Sequence, residues 1–193
     1  MDKASKSHIW IQAGYQTFAL EGPQGLKVER LAKQVQKNKS SFYHYFADLD
    51  IFTEFLLNHH LQQAQMLAVE EAKCTSLDEL IDRIVAYKFN LLFNRQLRVH
   101  REIPAFQQCF EKTNELTAQA IMGMWAKMLG LHDNSYLAAL VLKLGIENFY
   151  LQITQENLNH EWLHQYFSSF RTLVNEFKNA KNLSALCNYN ASR

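Results

Sequence analysis

Two stretches of this 193-residue chain carry residue types at spacings that could do chemistry. The first is His160-Glu161-Trp162-Leu163-His164, an HExxH pattern. On a helix, histidines four residues apart share a face and can hold one zinc ion while the glutamate between them activates water. Such a site needs a third ligand. Phe167 and Phe170 stand where the extended motif has glycine and histidine, and Glu176, the only carboxylate further on, is close for the usual third ligand. Trp162 and Leu163 belong to an apolar stripe, and Asn157 and Asn159 flank the segment as helix-start residues. Metal-dependent hydrolysis is therefore weighed and set aside, and no metal ligand, cofactor or catalytic residue is assigned. The sequence also has no glycine-rich phosphate loop, no GxSxG and no cysteine–histidine catalytic pattern.

The second stretch is residues 26–46, LKVERLAKQVQKNKSSFYHYF. Its chemistry is that of phosphate and base-edge contact. Phosphate contacts set position and supply much of the affinity, and base-edge contacts supply sequence choice. Lys27, Lys37, Lys39, Tyr43 and His44 are candidates for the first role. Lys39, Ser40 and Ser41 are candidates for the second, because they open the second of two short helices. Plainer readings stand beside these: serines as caps, Tyr43 as a surface-packed aromatic, His44 as merely exposed. Residues 3–46 hold seven basic side chains (Lys3, Lys6, Lys27, Arg30, Lys33, Lys37, Lys39) against two acidic ones (Glu21, Glu29). That is a local net of +5 in a chain totalling +1, so the remainder is net −4. A basic segment on a near-neutral chain is the electrostatic footprint of a phosphate-binding module, or simply a solvated helical face.

These side chains need elements to position them. Val28, Leu31, Ala32 and Val35 recur at helical spacing, Gln36-Lys37 interrupts, and Asn38 is a good N-cap for a helix over about 39–46. Two helices this short are not stable alone in water. A helix over about 5–21, with Ile9, Trp10, Ala13, Tyr15, Phe18, Ala19 and Leu20, supplies the missing apolar lid and is stopped by Gly22-Pro23-Gln24-Gly25. Together they read as a helix-turn-helix unit that lays its second helix in the DNA major groove. Asp48 caps a long following helix to about Lys73. Ser76 and Glu79 form a capping box for a helix running through Leu80, Ile84 and Phe93. Pro104 breaks or starts a helix, and another runs from about Phe110 to Leu129, closed by Gly130.

Two last helices, about 136–155 and 162–177, carry unusually wide apolar faces: Leu137, Leu140, Val141 and Leu144, then Tyr166, Phe170, Leu173 and Phe177. One chain of this size can bury one such helix; two in succession point to a subunit interface, with an all-internal core as the alternative. Phe89, Phe93, His100, Phe106, Trp125, Met128 and Phe149 face inward on the central helices and could be core or the wall of a small-molecule pocket. Their aromatic and thioether content favours a largely apolar ligand. Glu147 and Asn148 interrupt an apolar helix; a buried polar group needs a partner, so they could fix an effector's polar end or face water at a helix kink. The tail after Asn182 reads as polar and loose.

With 48% apolar residues, two prolines and six glycines, the composition suits long helices and a substantial core. No apolar run of membrane-spanning length occurs, and MDKASKSHIW lacks a signal-peptide core, so a cytoplasmic protein is expected. Cys74, Cys109 and Cys187 are far apart and read as reduced thiols.

Over about residues 9–52 the chain resembles the tetracycline-repressor (TetR) family of bacterial transcriptional regulators. The resemblance rests on Ala13, Phe18, Gly22, Val28, Leu31, Ala32, the Phe42-Tyr43-x-Tyr45-Phe46 block and Asp48; beyond that it is architectural. It implies an all-α fold with a helix-turn-helix DNA-binding domain over residues 1–47 and a helical effector-binding and dimerisation domain over residues 48–193. It further implies that Tyr43 touches a phosphate, that Phe46 closes the small core, and that the last two helices pair with a second subunit as a four-helix bundle. The implied function is a regulator, a repressor by family habit, that binds a palindromic operator in double-stranded DNA as a homodimer and is released by a small effector. Three positions depart from the family pattern: Lys27 for a threonine cap, Gln36-Lys37-Asn38 for a glycine-containing turn, and Leu49 for a basic residue. They motivate a second reading, a helical interaction protein of the same fold with weakened or lost DNA binding.

Overall fold

A computed structural model of the chain describes residues 3–190, with side chains from residue 6 to residue 179. It contains nine α-helices and, among the described residues, no strand. They are α1 (Lys3–Glu21), α2 (Val28–Gln34), α3 (Lys39–Tyr43), α4 (Leu49–Glu71), α5 (Leu77–Ala86), α6 (Lys88–Val99), α7 (Pro104–Met128), α8 (Ser135–Gln152) and α9 (His160–Asn190), with a 3-10 turn at Pro23–Gly25.

The helix ends follow local chemistry. Asn38 Oδ1 accepts from the Ser41 amide at 2.8 Å, and Asp48 Oδ1 from the Ile51 amide at 2.8 Å. Ser76 Oγ accepts from the Glu79 amide at 3.2 Å, while Glu79 reaches back to the Thr75 amide at 2.7 Å. Each contact satisfies a donor that helix geometry leaves orphaned. Pro104 sits at the first position of α7, where its missing N–H costs nothing.

Four expectations are corrected. The helix expected from Ser76 through Phe93 breaks at Tyr87 (φ −100°, ψ 28°). α5 packs on α4 and α9 while α6 packs on α1, α7 and α8, and one straight helix cannot present its apolar face in both directions. The helix expected from Phe110 begins at Pro104. The third helix stops at Tyr43 rather than Phe46, turning so that Phe46 points inward. The last helix runs to Asn190, past the tail expected to be loose; no glycine or proline interrupts residues 180–190. The side chain of Cys187 lies outside the described residues, and Cys74 and Cys109 are free thiols.

One continuous core runs from Trp10 to Val174. Its N-terminal part is aromatic: Phe42, fully buried, meets Trp10 at 5.4 Å, Phe46 at 5.2 Å and Phe52 at 5.2 Å between ring centroids. α1 serves two partners. Trp10 faces the short helices, while Tyr15 and Phe18 stack on Phe93 of α6 at 4.6 and 4.2 Å. The helix-turn-helix is thereby fastened to the rest of the molecule through its first helix as well as through the covalent link to α4.

α1 and α4 approach closely at Gly14. A Cβ there would lie 2.4 Å from Cζ of Phe52, a ring already wedged against Phe42 and Phe46. In an ordinary helix interior, glycine to alanine gains about 1 kcal/mol. Here we expect the sign to reverse: Gly14→Ala should lose about 2 kcal/mol through overpacking. A urea midpoint equal to or above the wild type's would show that the contact is not tight.

Candidate nucleic-acid interface and inner chamber

The face formed by α2 and α3 is set by one backbone motif. At the end of α2 the Gln36 amide donates to Lys33 O at 3.2 Å and the Lys37 amide to Ala32 O at 2.9 Å. This pair of bonds is a Schellman closure, which demands a left-handed residue between them. Gln36 occupies that position with φ 55°, the only non-glycine residue with positive φ among those described. α7 closes in the same way through Gly130, φ 60°. The glycine-free turn noted in the sequence thus keeps the tight geometry and bears its steric cost at Gln36.

From that turn, Lys37, Lys39, Ser40, Tyr43 and His44 all emerge exposed, with Ser41 half-buried beneath them. Tyr43 is 56% exposed, its ring edge-on to the buried Phe42 at 5.4 Å. Lys27 is exposed and stands at the N-cap of α2 without a side-chain cap bond. Two ion pairs cross this face. Lys39 Nζ is 2.9 Å from Glu29 Oε1, and Arg30 holds both oxygens of Glu21. The hydrogen bond from Arg30 is the main reason the Glu21 carboxyl titrates below its ordinary range, as that from Lys39 is for Glu29. Lys27, Lys33 and Lys37 have no such carboxylate pair. In all, the structure brings Lys37, Lys39, Ser40, Ser41, Tyr43 and His44 onto one surface with Lys27 at its edge.

The HExxH residues are not brought together around a common point. His160 Nε2 pairs with Asp82 Oδ1 at 2.9 Å and His164 Nε2 with Asp78 Oδ1 at 3.6 Å, both on α5. Glu161 is exposed. Among the described residues no group of three His, Cys, Asp or Glu side chains is placed to hold a metal ion. No described helix is long and apolar enough to cross a membrane.

The C-terminal helices hold a small chamber of about 60 Å³ bounded by α4, α5, α6, α7, α8 and α9. Of the inward residues singled out in the sequence, Trp125 and Phe149 line it. Phe93 and Phe106 lie instead in the α1–α6–α7 contact, where Phe106 meets Phe18 at 5.4 Å. Phe89 is 38% exposed, His100 lies beside Glu102, and Met128 packs against the core away from the chamber. Glu147 and Asn148 find protein partners: Glu147 pairs with Arg98, and Asn148 Oδ1 accepts from Gln152 at 2.6 Å and from the Tyr166 hydroxyl at 3.2 Å. On the outer face of α8 and α9, Leu137, Leu140, Leu144, Leu173 and Phe177 are exposed, with Val141, Tyr166 and Phe170 half-buried between them.

Two features escaped the sequence reading. The first is a buried hydrogen-bond chain. The Tyr15 hydroxyl of α1 donates to His60 Nδ1 of α4 at 2.9 Å, and His60 Nε2 donates to Asn94 Oδ1 of α6 at 2.9 Å. Thr113 of α7 donates to the same Oδ1 at 2.8 Å, and Asn94 Nδ2 donates to the Tyr150 hydroxyl of α8 at 2.9 Å. Asn94 Oδ1 can only accept, so the His60 proton sits on Nε2 and Nδ1 is the acceptor. Burial pushes the His60 pKa down to about 4, so the ring is neutral at pH 7. The second feature is Glu71, 3% exposed, whose Oε2 has no hydrogen-bond partner. Burial raises its pKa to about 7, against the opposing pull of Thr117. Asn90 and Asn94, one turn apart on the buried side of amphipathic α6 among Leu91, Leu92, Phe93 and Leu97, were a legible sign of the first; nothing in the local pattern around Glu70-Glu71 distinguishes the buried carboxylate from its neighbour.

No protein-family model matches the chain, and no curated protein matches it in sequence. The fold has solved counterparts. A protein from Rhodococcus sp. assigned to the TetR family of transcriptional regulators superposes with a TM-score of 0.52 at 16% identity, over 89% of this chain and 97% of its own. Another so assigned, from Mesorhizobium loti MAFF303099, superposes with a TM-score of 0.53 at 14% identity, over 90% of this chain and 98% of its own. The chain therefore has the all-α fold of TetR-family regulators, as its residues 9–52 suggested.

Replacing Gln36 with glycine removes the left-handed penalty without altering the closure. Gln36→Gly should raise the unfolding free energy by about 1 kcal/mol; an unchanged or lower denaturation midpoint would mean that Gln36 is not strained. Glu71 and His60 give stability opposite pH slopes. A carboxyl whose pKa is raised from 4.5 to about 7 on folding stabilises fully below 4.5 and loses that contribution as pH rises to about 7. His60, lowered from 6.5 to about 4, destabilises as pH falls across that window. Between pH 4.5 and 6.5 the two oppose each other. In Glu71→Gln only the histidine slope remains, so its stability relative to wild type should climb by about 3 kcal/mol between pH 4 and pH 8. Parallel stability–pH curves for the two proteins would refute the raised carboxyl.

Proposed function

We propose that this chain is a DNA-binding transcriptional regulator that acts as a homodimer on a palindromic operator, in the sense of a repressor, and is released by a small, largely apolar effector. The observation that carries the reading is the face of α3. Lys39, Ser40, Tyr43 and His44 stand exposed on a helix whose other side is locked by Phe42 and Phe46. A helix held this rigidly and bearing donors at its N-terminal half is suited to the major groove. Lys27, Lys37, Lys39, Tyr43 and His44 are then the phosphate contacts, and Lys39, Ser40 and Ser41 the groove contacts. Residues 1–47 form the DNA-binding part and residues 48–193 the part that binds effector and partner.

Dimerisation through α8 and α9 is supported by their exposed apolar residues, with Leu137, Leu140 and Leu144 on one helix and Leu173 and Phe177 on the other. Several large apolar side chains left exposed on two helices are characteristic of an interaction surface. Coupling between effector and DNA has two physical routes. One is α4, continuous from Asp48 beside the recognition unit to Glu71 at the chamber. The other is the hydrogen-bond chain from Tyr150 to Tyr15. An effector shifts the spacing of the two recognition helices only by binding one arrangement better than the other.

The second reading, an interaction protein of the same fold, draws on the Glu29–Lys39 and Glu21–Arg30 pairs, which neutralise two cations of the candidate face. Selection of bound sequences from random duplex DNA separates the two. The regulator enriches a palindrome with half-sites about one helical turn apart, and its affinity falls steeply with salt. No enrichment even at low salt favours the interaction protein. On an enriched site, Tyr43→Ala should weaken binding about tenfold across sequences while leaving the dimer intact. Wild-type affinity in that variant would remove Tyr43 from the interface.

A further inference from the structure

Glu71 presents an unusual electrostatic problem. It is a buried carboxylic acid in a mostly apolar chamber, with one oxygen unpartnered and no lysine, arginine or histidine among the residues lining that chamber. A buried charge is costly unless a counter-charge reaches it, and a buried acceptor without a donor forfeits its hydrogen bond. Among the residues lining the chamber none carries a positive charge, and Thr117 reaches the carboxyl but leaves Oε2 without a donor. What surrounds Glu71 instead is aromatic: Trp125, Phe149, Tyr150 and Tyr166 all line the same space. Aromatic faces attract cations, most strongly where water is excluded.

We propose that this chamber is the binding site of a small protonated alkylamine, whose ammonium group donates to Glu71 and whose hydrocarbon lies among Trp125, Phe149 and Tyr166. The proposal rests on the reading of residues 48–193 as an effector-binding part and names the effector's chemistry. A carboxylate or phosphate ligand would meet Glu71 with no cation to hold it, and a purely apolar ligand would leave the Glu71 oxygen unpaired. Size agrees with a small ligand. The chamber of about 60 Å³ takes the ammonium head and the first methylenes beside Trp125, Phe149 and Tyr166, and it shares Asn114, Leu142 and Ile146 with a groove of about 650 Å³ between α7 and α8 that can receive the rest of a longer tail.

The amine stays charged throughout the neutral range, so the pH dependence belongs to Glu71. The groups that face it are Asn114 and Thr117 from α7, Tyr150 from α8 and Tyr166 from α9; Leu80 and Ile84 from α5 and Leu91 from α6 are apolar. Both phenols are held above their ordinary range by burial and keep their protons near neutrality. Cys74, beyond the end of α4, is raised in the same way. Binding therefore requires the Glu71 proton to leave. Affinity rises with pH up to about 7 and levels above it.

The test is calorimetry of the full chain, without DNA, with butylamine and with 1-butanol, its neutral counterpart. Butylamine should bind at least tenfold more tightly than 1-butanol at pH 8, and about tenfold more weakly at pH 6 than at pH 8. Glu71→Gln, checked for helicity, should abolish the preference for the amine, and Glu161→Gln, on the exposed surface of α9 away from chamber and groove, should leave it unchanged. Equal affinity for the two compounds, no binding of either, or an amine affinity that ignores both pH and Glu71→Gln overturns the proposal. The wild-type pH comparison decides even if Glu71→Gln does not fold. A chain that binds butylamine but selects no DNA would overturn the regulator reading alone; one that selects DNA but ignores butylamine would overturn this inference alone.

Discussion

His60 is the point on which the arrangement of helices depends. The ring is fully buried, and each of its nitrogens is matched to one group of the correct polarity, Tyr15 on one side and Asn94 on the other. A buried polar group left unmatched costs about 1–3 kcal/mol, more than a made bond returns. The constraint is therefore one of register: α1, α4 and α6 must sit where Tyr15, His60 and Asn94 meet, and α7 and α8 follow because Thr113 and Tyr150 complete Asn94. Hydrophobic packing alone would tolerate small slides of α1 over α6; this chain of donors and acceptors does not. Stacking of His60 on Phe93 at 4.3 Å, with Phe93 itself stacked under Tyr15 and Phe18, ties the polar and aromatic parts of the seam into one unit.

The recognition unit is made differently. Its rigidity comes from rings rather than hydrogen bonds, with Phe42 at the centre of Trp10, Phe46 and Phe52. This frees the polar side chains of α3 to face outward. It also explains how α2 and α3, of seven and five residues, persist despite an uncapped Lys27 and a left-handed Gln36. Each of those local costs is on the order of 1 kcal/mol. The burial of one large aromatic side chain is worth about 1.5–3 kcal/mol, so the core outweighs either.

That contrast accounts for what could be read from the sequence. The Phe42 to Phe46 block, the caps at Asn38, Asp48 and Ser76, and the stop at Gly130 are local signals, and each located one end or the core side of a helix, though α3 stops at Tyr43, α5 breaks at Tyr87 and α7 starts already at Pro104. The break at Tyr87 was not legible, because the apolar residues of α5 and α6 continue with helical spacing across it; only the differing partners of the two helices require the turn. Which inward aromatics line a space was equally hidden. Phe93 and Trp125 look alike in sequence, yet one stacks beneath α1 and the other faces the chamber. Glu71 is the extreme case, since its neighbour Glu70 is an ordinary ion-paired surface residue and only the packing of five other helices tells them apart.

Glu71 and His60 occupy one helix, three turns apart; burial keeps the His60 ring neutral and raises the Glu71 carboxyl to about 7, where it is poised between its two forms at neutral pH. They differ in completeness. His60 has every bonding site matched, so a change in its protonation would dismantle the seam; it is suited to hold one arrangement. Glu71 has an open valence in a space of its own, so the structure tolerates more than one state there. Tyr150 lies between them, a wall of the chamber and the last link of the chain to Tyr15. Under the proposed function, a ligand that charges Glu71 acts on the permissive end of α4, and the rest of that helix, pinned at His60, must transmit any movement to Asp48 and the recognition unit as a rigid body. The leverage available is limited to the ligand's differential affinity for the two placements of α4. A charged contact made in an aromatic, water-poor chamber is sensitive to small displacements in a way that apolar contact is not, which is a physical reason for a regulator of this fold to place an acid at that point.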